Sequence, residues 1–208
     1  MAKHPRMMPA PAIEVRTRRA YFDCKFGQLH VRTAFPTTGG FDEQVTLMCL
    51  HSREGSSRSF ARFLPEIGAD RSVYAPDLPG FGESDPAPSL GHSDAARAVL
   101  DLAGELRLRQ IDLLGVRFGA AVALDLAASR PELVRRLVLA GAPPMDRIPA
   151  IKQPCLILKA RSDQADDLHW ARSALPNARS IELLRPLGDI FDSDAKDLAK
   201  QVAAFLKS

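Results

Sequence analysis

The segment Gly115-Val116-Arg117-Phe118-Gly119 joins a strand-like run, Ile111-Asp112-Leu113-Leu114, to an alanine-rich stretch of helical character, Phe118 to Ala128. A small residue on each side of a central one suits a sharp strand-to-helix turn, because the central residue is strained and the neighbouring backbones nearly touch. Such a turn presents its central side chain to the free N–H groups and positive dipole end of the following helix. A hydroxyl, thiol or carboxylate in that place would be a nucleophile. The residue present is Arg117, whose guanidinium, with a pKa above about 12, keeps its proton and cannot attack. The chemistry open to it is recognition of a carboxylate or phosphate by a bidentate fork.

Other polar groups follow other apolar runs. His51-Ser52-Arg53-Glu54-Gly55-Ser56-Ser57-Arg58-Ser59 comes directly after Leu50. It reads as a solvated loop with a helix cap at Ser56 or Ser57, and its alternative use is to wrap an anion with hydroxyls and amides. Asp77 to Asp85 is a turn-rich structural loop bent at Pro79 and Gly80. Of the histidines (His4, His30, His51, His92 and His169) only His51 falls near the turn at Arg117. Histidines and cysteines lack metal-ligand spacing and no Gly-rich phosphate loop stands at the first strand-helix junction, so neither metal nor cofactor is expected.

Short β-like runs alternate with helical patterns from Val45 onward. Strands are expected at Val45–Leu50, Ser72–Ala75, Ile111–Leu114, Leu137–Ala140, Leu156–Leu158 and Ser180–Leu184. Helices are expected at Ser57–Ile67, Ser93–Leu106, Phe118–Ala128, Asp166–Ala174 and Ala195–Leu206. Strands separated by helical crossovers imply a parallel sheet covered on both faces. Glu14–Phe22 and Gln28–Phe35, turning at Gly27, add an antiparallel hairpin at its edge. The expected class is α/β, a mostly parallel sheet of about eight strands with helices on both faces. Residues 13–208 read as one domain and Met1–Ala12 as a flexible arm.

Taken together, Leu50-His51, Asp77 to Asp85, the Gly115–Gly119 turn and Leu137 to Gly141, in that order, resemble the α/β-hydrolase superfamily. The resemblance implies an α/β-hydrolase fold with a nucleophile elbow at position 117, usually Ser and sometimes Asp or Cys. It implies a catalytic acid after the late strand, where Asp163 stands, and a histidine base after the last strand. In that stretch, Arg185 to Phe191, the matching residue is Asp189. The oxyanion His-Gly becomes His51-Ser52. With Arg117 for the nucleophile and Asp189 for the base, the triad positions Arg117, Asp163 and Asp189 are degenerate, and serine-hydrolase chemistry is lost at them. The short connection Ala142–Gln153, where many relatives insert a helical cap, implies a capless core whose site is open unless a second copy of the chain covers it.

The chain is therefore expected to be a pseudoenzyme that binds a small anionic ligand or a protein partner at His51, Ser52, Arg53, Arg117 and Phe118. The alternative is a hydrolase or lyase for a small ester-like substrate, rebuilt around His51, Asp163 or a serine of the early loop. Arg117 is either held by Asp163 and Asp189 in an internal ion network or left to clamp a ligand, and two nearby acids favour the network.

Composition sets the outer limits. At 208 residues, 46% hydrophobic, with 28 basic against 25 acidic side chains and no basic block, the chain carries no nucleic-acid footprint. The apolar run Ala120–Leu124 is far short of the roughly 18 residues of a membrane span. The N-terminal residues lack the apolar centre of a secretory signal. Cys24, Cys49 and Cys155 cannot all pair within one chain, and reduced thiols imply a cytoplasmic setting.

Overall fold

The computed structural model describes residues 15–36, 44–89, 91–143, 145, 149–160, 171, 174–175, 177–187 and 189–208. The strands are β1 (Val15–Cys24), β2 (Gly27–Pro36), β3 (Thr46–Leu50), β4 (Val73–Pro76), β5 (Ile111–Val116), β6 (Val134–Ala140), β7 (Cys155–Ala160) and β8 (Ala178–Leu183). They form one sheet in the order β1-β2-β4-β3-β5-β6-β7-β8. The pairings β1–β2 and β2–β4 are antiparallel and the rest are parallel. The helices are α1 (Phe63–Ile67), α2 (His92–Glu105), α3 (Phe118–Ser129), α4 (Ile190–Ser193) and α5 (Ala195–Lys207).

Strands β3 and β5 are buried along their whole length, as strands must be when helices cover both faces of a parallel sheet. Side-chain alternation along β5 sends Leu113 to one core and Leu114 to the other. The first core gathers Met48, Val99, Leu102, Phe118 and Leu124 under α2 and α3. The second gathers Phe60, Phe63, Val138, Phe191 and Val202 under α1, α4 and α5.

Three expectations are corrected. The stretch Ser57–Ile67 is not one helix: a 3₁₀ turn over Ser57–Phe60 precedes α1. Ser57 gives its N–H to Asp77 Oδ1 at 2.6 Å and Ala61 donates to the Arg58 carbonyl at 3.0 Å, an i to i−3 closure. Pro65, with no N–H, cannot bond back to Ala61, so the two turns do not merge. The edge hairpin turns at Lys25 and Phe26, and Gly27 opens β2 at φ +120°. A side chain at Gly27 would also collide with the Asp85 carboxylate. A short helix, α4, follows the last strand where none was expected. The N-terminal arm, Asp163 and most of the Asp166–Ala174 segment lie outside the described residues.

Two polar knots fix the loops and the last helix. Buried Asp77 accepts from Ser57 N, from Glu83 N at 2.9 Å and from His30 Nδ1 at 2.9 Å. Ser84 Oγ donates to the Asp77 carbonyl at 2.6 Å and accepts from His30 N at 2.9 Å. Burial alone would raise the Asp77 carboxyl, but the donors from Ser57, Glu83 and His30 outweigh it and hold the pKa below its ordinary value. At the opposite end of the sheet Arg135 grips Asp112 bidentately at 2.9 and 2.6 Å. Arg135 and Arg136 both donate to the Leu206 carbonyl, at 2.8 and 2.6 Å.

The glycines of the turn after β5 are sterically required. A Cβ at Gly115 would overlap the Gly119 carbonyl, and one at Gly119 would overlap the Leu50 carbonyl. Gly119→Ala is expected to lower unfolding free energy by about 3 kcal/mol or more. Gly104→Ala, in α2 with nothing within 4 Å of the added methyl, should raise it by about 0.5–1 kcal/mol. Denaturant midpoints of the two variants beside the parent check both signs.

Candidate active site

Arg117 sits at φ 47°, ψ −99°, in the strained turn that its two glycines predict. Its N–H donates to the Ala140 carbonyl at 2.8 Å, and its own carbonyl accepts from Ala120 N and Ala121 N at 3.0 and 3.1 Å. The peptide is therefore clamped between β6 and the first turn of α3. A non-glycine residue in this region costs on the order of 1–3 kcal/mol and persists only where the surroundings over-determine it.

The side chain leaves the turn across Gly141, which has φ +75°. A methyl there would stand 3.0 Å from Arg117 Cγ and 2.7 Å from Leu187 Cδ1. The guanidinium reaches an open cleft of about 560 Å³ at the carboxyl ends of the strands. Phe60, Val116, Leu187 and Phe191 form its apolar wall, and Ser52, Glu54, Ser59 and Arg117 its polar side. Phe191 is held edge-on by Phe60 and Phe63, with ring centroids 5.0 and 5.4 Å apart. The amides of Phe118 and Gly119, which precede the first backbone bonds of α3 to the Arg117 carbonyl, lie at the same end of the helix.

The sequence-derived residues do not all arrive here in the expected way. Asp189 begins α4, is exposed, and makes no ion pair with Arg117. The expected network is corrected to that extent: the loop before α4 turns Leu187 and Phe191 into the cleft, and Asp189, between them, lies away from it. Among the described residues Arg117 has no carboxylate partner. Asp163 lies outside them.

His51 borders the cleft, but its ring is fully buried and both nitrogens are used. The Ser52 carbonyl stands 2.7 Å from Nδ1, and Nε2 accepts the Leu78 N–H at 2.9 Å. Acceptance at Nε2 fixes the neutral tautomer with its proton on Nδ1. Burial pushes the His51 pKa below its ordinary value of 6.5, against the weaker opposing effects of the Ser52 carbonyl and the Asp77 charge. No lone pair is left for a general base. Ser52 reaches the cleft, while Arg53 stacks over the Phe118 ring at 4.3 Å. Phe118 is a core residue at the start of α3, so what it can offer a ligand is backbone.

Glu54 and Ser59 line the cleft within the loop that could wrap an anion, whereas sequence reasoning missed Phe60, Leu187 and Phe191 as lining residues. The available signal was the pairing of Leu187 and Phe191 around Asp189 in the stretch already singled out for the base. Among the described residues no group of three or more His, Cys, Asp or Glu could hold a metal ion, and no helix is long and apolar enough to cross a membrane. The three cysteines are free; burial raises the Cys49 thiol and pushes Cys155 up to about 12.

A strained elbow between a parallel strand and a helix, with a cleft over it, defines a class. The family model described as alpha/beta hydrolase fold matches residues 45–152, and the chain belongs to that family. It is 40% identical over 104 residues to 2-hydroxymuconate semialdehyde hydrolase of Pseudomonas sp. (strain CF600), covering 46% of this chain and 36% of that protein. It is 36% identical over 98 residues to pyrrolizixenacetamide deacetylase of Xenorhabdus hominickii, covering 46% of this chain and 37% of that protein. The chain thus spans little more than a third of the length of these curated relatives. Among solved structures it is similar to naproxen esterase (carboxylesterase NP) from Bacillus subtilis, at TM-score 0.78 and 17% identity over 92% of each chain. That likeness is one of fold.

Two outcomes follow from the geometry. Arg117→Gly should stabilise the chain by about 1 kcal/mol, the relief of strain being partly offset by glycine's unfolded-state entropy. His51 has a lowered folded pKa, so its contribution to stability is complete above the ordinary histidine value of 6.5 and is lost as pH falls through the lower folded one. Unfolding free energy measured from pH 7.5 to 4.5 should fall in the parent and fall less in His51→Gln.

Proposed function

We propose that this chain is an α/β-hydrolase-fold protein without serine-hydrolase chemistry, and that it binds a small organic monoanion at the elbow. The observation that carries the reading is Arg117 at the strained position where the family resemblance implies a nucleophile, facing a cleft with no carboxylate partner among the described residues.

A carboxylate entering the cleft meets the guanidinium fork, which stays charged and binds two oxygens at once. The first-turn amides of α3 add a favourable dipole end. Phe60, Val116, Leu187 and Phe191 receive the hydrocarbon or aromatic part of the ligand. Glu54, on the same cleft, disfavours a second negative group, so the ligand class is an acid with one charge and an apolar body. Among the described residues catalysis has no base in this arrangement, since His51 is spent on structure and Asp189 stands where the resemblance implies a histidine.

Residues 13–208 act in this reading as one capless unit. The connection over residues 142–153 is too short in sequence to carry the cap insertion of many relatives, and in this reading the cleft is open to solvent or to a protein surface, a second copy of the chain included.

The test has two arms. Purified protein is expected to hydrolyse a panel of short aryl esters and thioesters no faster than blank. Benzoate and phenylacetate should raise the melting temperature saturably while benzamide and phenylacetamide do not, and Arg117→Gln should weaken the carboxylates by about 10-fold to 100-fold. Ester turnover that disappears in His51→Ala, Asp163→Ala or Arg117→Ala would show instead that catalysis has been rebuilt in the site.

A further inference from the structure

A second group of cations, on the other side of the segment that walls the elbow cleft, has no assigned role. Ser59 and Phe60 face the cleft, whereas Ala61, Leu64 and Pro65 border a separate groove of about 220 Å³ against the β1–β2 hairpin. Thr17, Arg18, Arg19, Arg32 and Thr33 of the hairpin belong to that groove. Its lining includes no acidic residue.

The register makes the arrangement unusual. Arg19 lies directly opposite Arg32, and Thr17 directly opposite Ala34, in the antiparallel ladder. Directly opposed residues project from the same face of a sheet, and like charges so placed are destabilising. Ala34 fixes which face this is, because its side chain packs into the core beneath α1. Arg18 and Thr33, one position out of phase, also border the groove, but the Arg18 guanidinium lies over the Phe35 ring at 5.7 Å and so is directed to the opposite face. The groove thus holds two guanidinium groups and a hydroxyl.

Nothing in the described structure neutralises these two. Neither Arg19 nor Arg32 has a carboxylate partner among the described residues. Arg62, nearby in sequence, is engaged with Asp192 at 2.7 Å. The Nε of Arg32 is buried without any hydrogen-bond partner. A buried unpaired donor on a charged group loses its hydration and gains nothing in return, and a like-charge neighbour adds to the penalty. Both are relieved by one event, the entry of an anion.

We infer that this groove is an oxyanion site for a phosphate group, held between the forks of Arg19 and Arg32 with the Thr17 hydroxyl as a third donor. Two guanidinium groups match a doubly charged tetrahedral anion better than a singly charged carboxylate. The groove exceeds the size of a bare phosphate, and Ala61, Leu64 and Pro65 give its rim an apolar side that suits the organic part of a phosphomonoester. Free phosphate and a phosphomonoester share the recognised chemistry.

The test is thermal unfolding and calorimetric titration of the full chain at constant ionic strength, with chloride, inorganic phosphate and phenyl phosphate. Both phosphates should raise the melting temperature saturably where chloride does not. Tighter binding of phenyl phosphate identifies an organic phosphate as the occupant, and equal binding identifies free phosphate. Arg19→Gln and Arg32→Gln should each weaken binding by about 10-fold or more. Without phosphate they should unfold no earlier than the parent, because each removes a repulsion. Arg117→Gln should leave the phosphate response intact while weakening the benzoate response, so the two sites fail independently. A parent that shows no saturable response overturns the proposal. So does a response that survives both groove variants, or one that vanishes in Arg117→Gln.

Discussion

The carbonyl of Leu50 and the Cα of Gly119 occupy space that a single methyl group would close. That contact seats the first turn of α3 over the end of β3, and Gly115 repeats it one step earlier against the Gly119 carbonyl. With the helix seated, Arg117 turns through a positive φ to connect it to β5, and its side chain leaves across Gly141. The cleft's position, the orientation of the α3 amides and the exposure of the guanidinium all descend from this approach of two backbones. The elbow is thus a property of the glycines and not of the residue between them, which is why it accepts an arginine.

Around it, polar groups are spent on shape. Asp77 collects the amides of Ser57 and Glu83 and the His30 ring, and so ties three separate segments together beside the cleft. His51 bridges Ser52 and Leu78 in the same region. Side chains that could have titrated near the elbow are thereby committed as buried acceptors and donors. The arginines are treated differently: Arg135 and Arg136 are absorbed by Asp112 and the Leu206 carbonyl, while Arg19, Arg32 and Arg117 are left facing cavities.

Much of the fold was legible because its signals are local. Strands β3, β5, β6 and β7 lie between covering helices, and each carries a run of buried apolar residues bounded by polar turns, which is what the sequence shows. The paired glycines announced the elbow for the same reason, since their constraint lies within five consecutive residues. The break before α1 was less visible, because it depends on Asp77 taking the Ser57 amide from twenty residues away. The cleft wall was not legible: Phe60, Leu187 and Phe191 look like any core residues, and which edge of each faces solvent is decided by how α4 packs on the 3₁₀ turn. The position of Asp189 failed for that reason too, since its neighbours' burial, not its charge, sets the direction of the loop. Arg19 opposite Arg32 was equally hidden, as hairpin register follows from the turn at Lys25 and Phe26.

The grip on the Leu206 carbonyl has a practical side. Two guanidinium groups from β6 converge on one backbone oxygen in the last turn of α5, which gives Arg135 an acceptor beyond Asp112 and gives Arg136 its own. An affinity tag joined after Ser208 would leave this oxygen in place, whereas trimming the chain before Leu206 would take the acceptor from Arg136 and leave Arg135 with Asp112 alone. In building shortened or fused versions of this protein, the C-terminal turn is a boundary to respect.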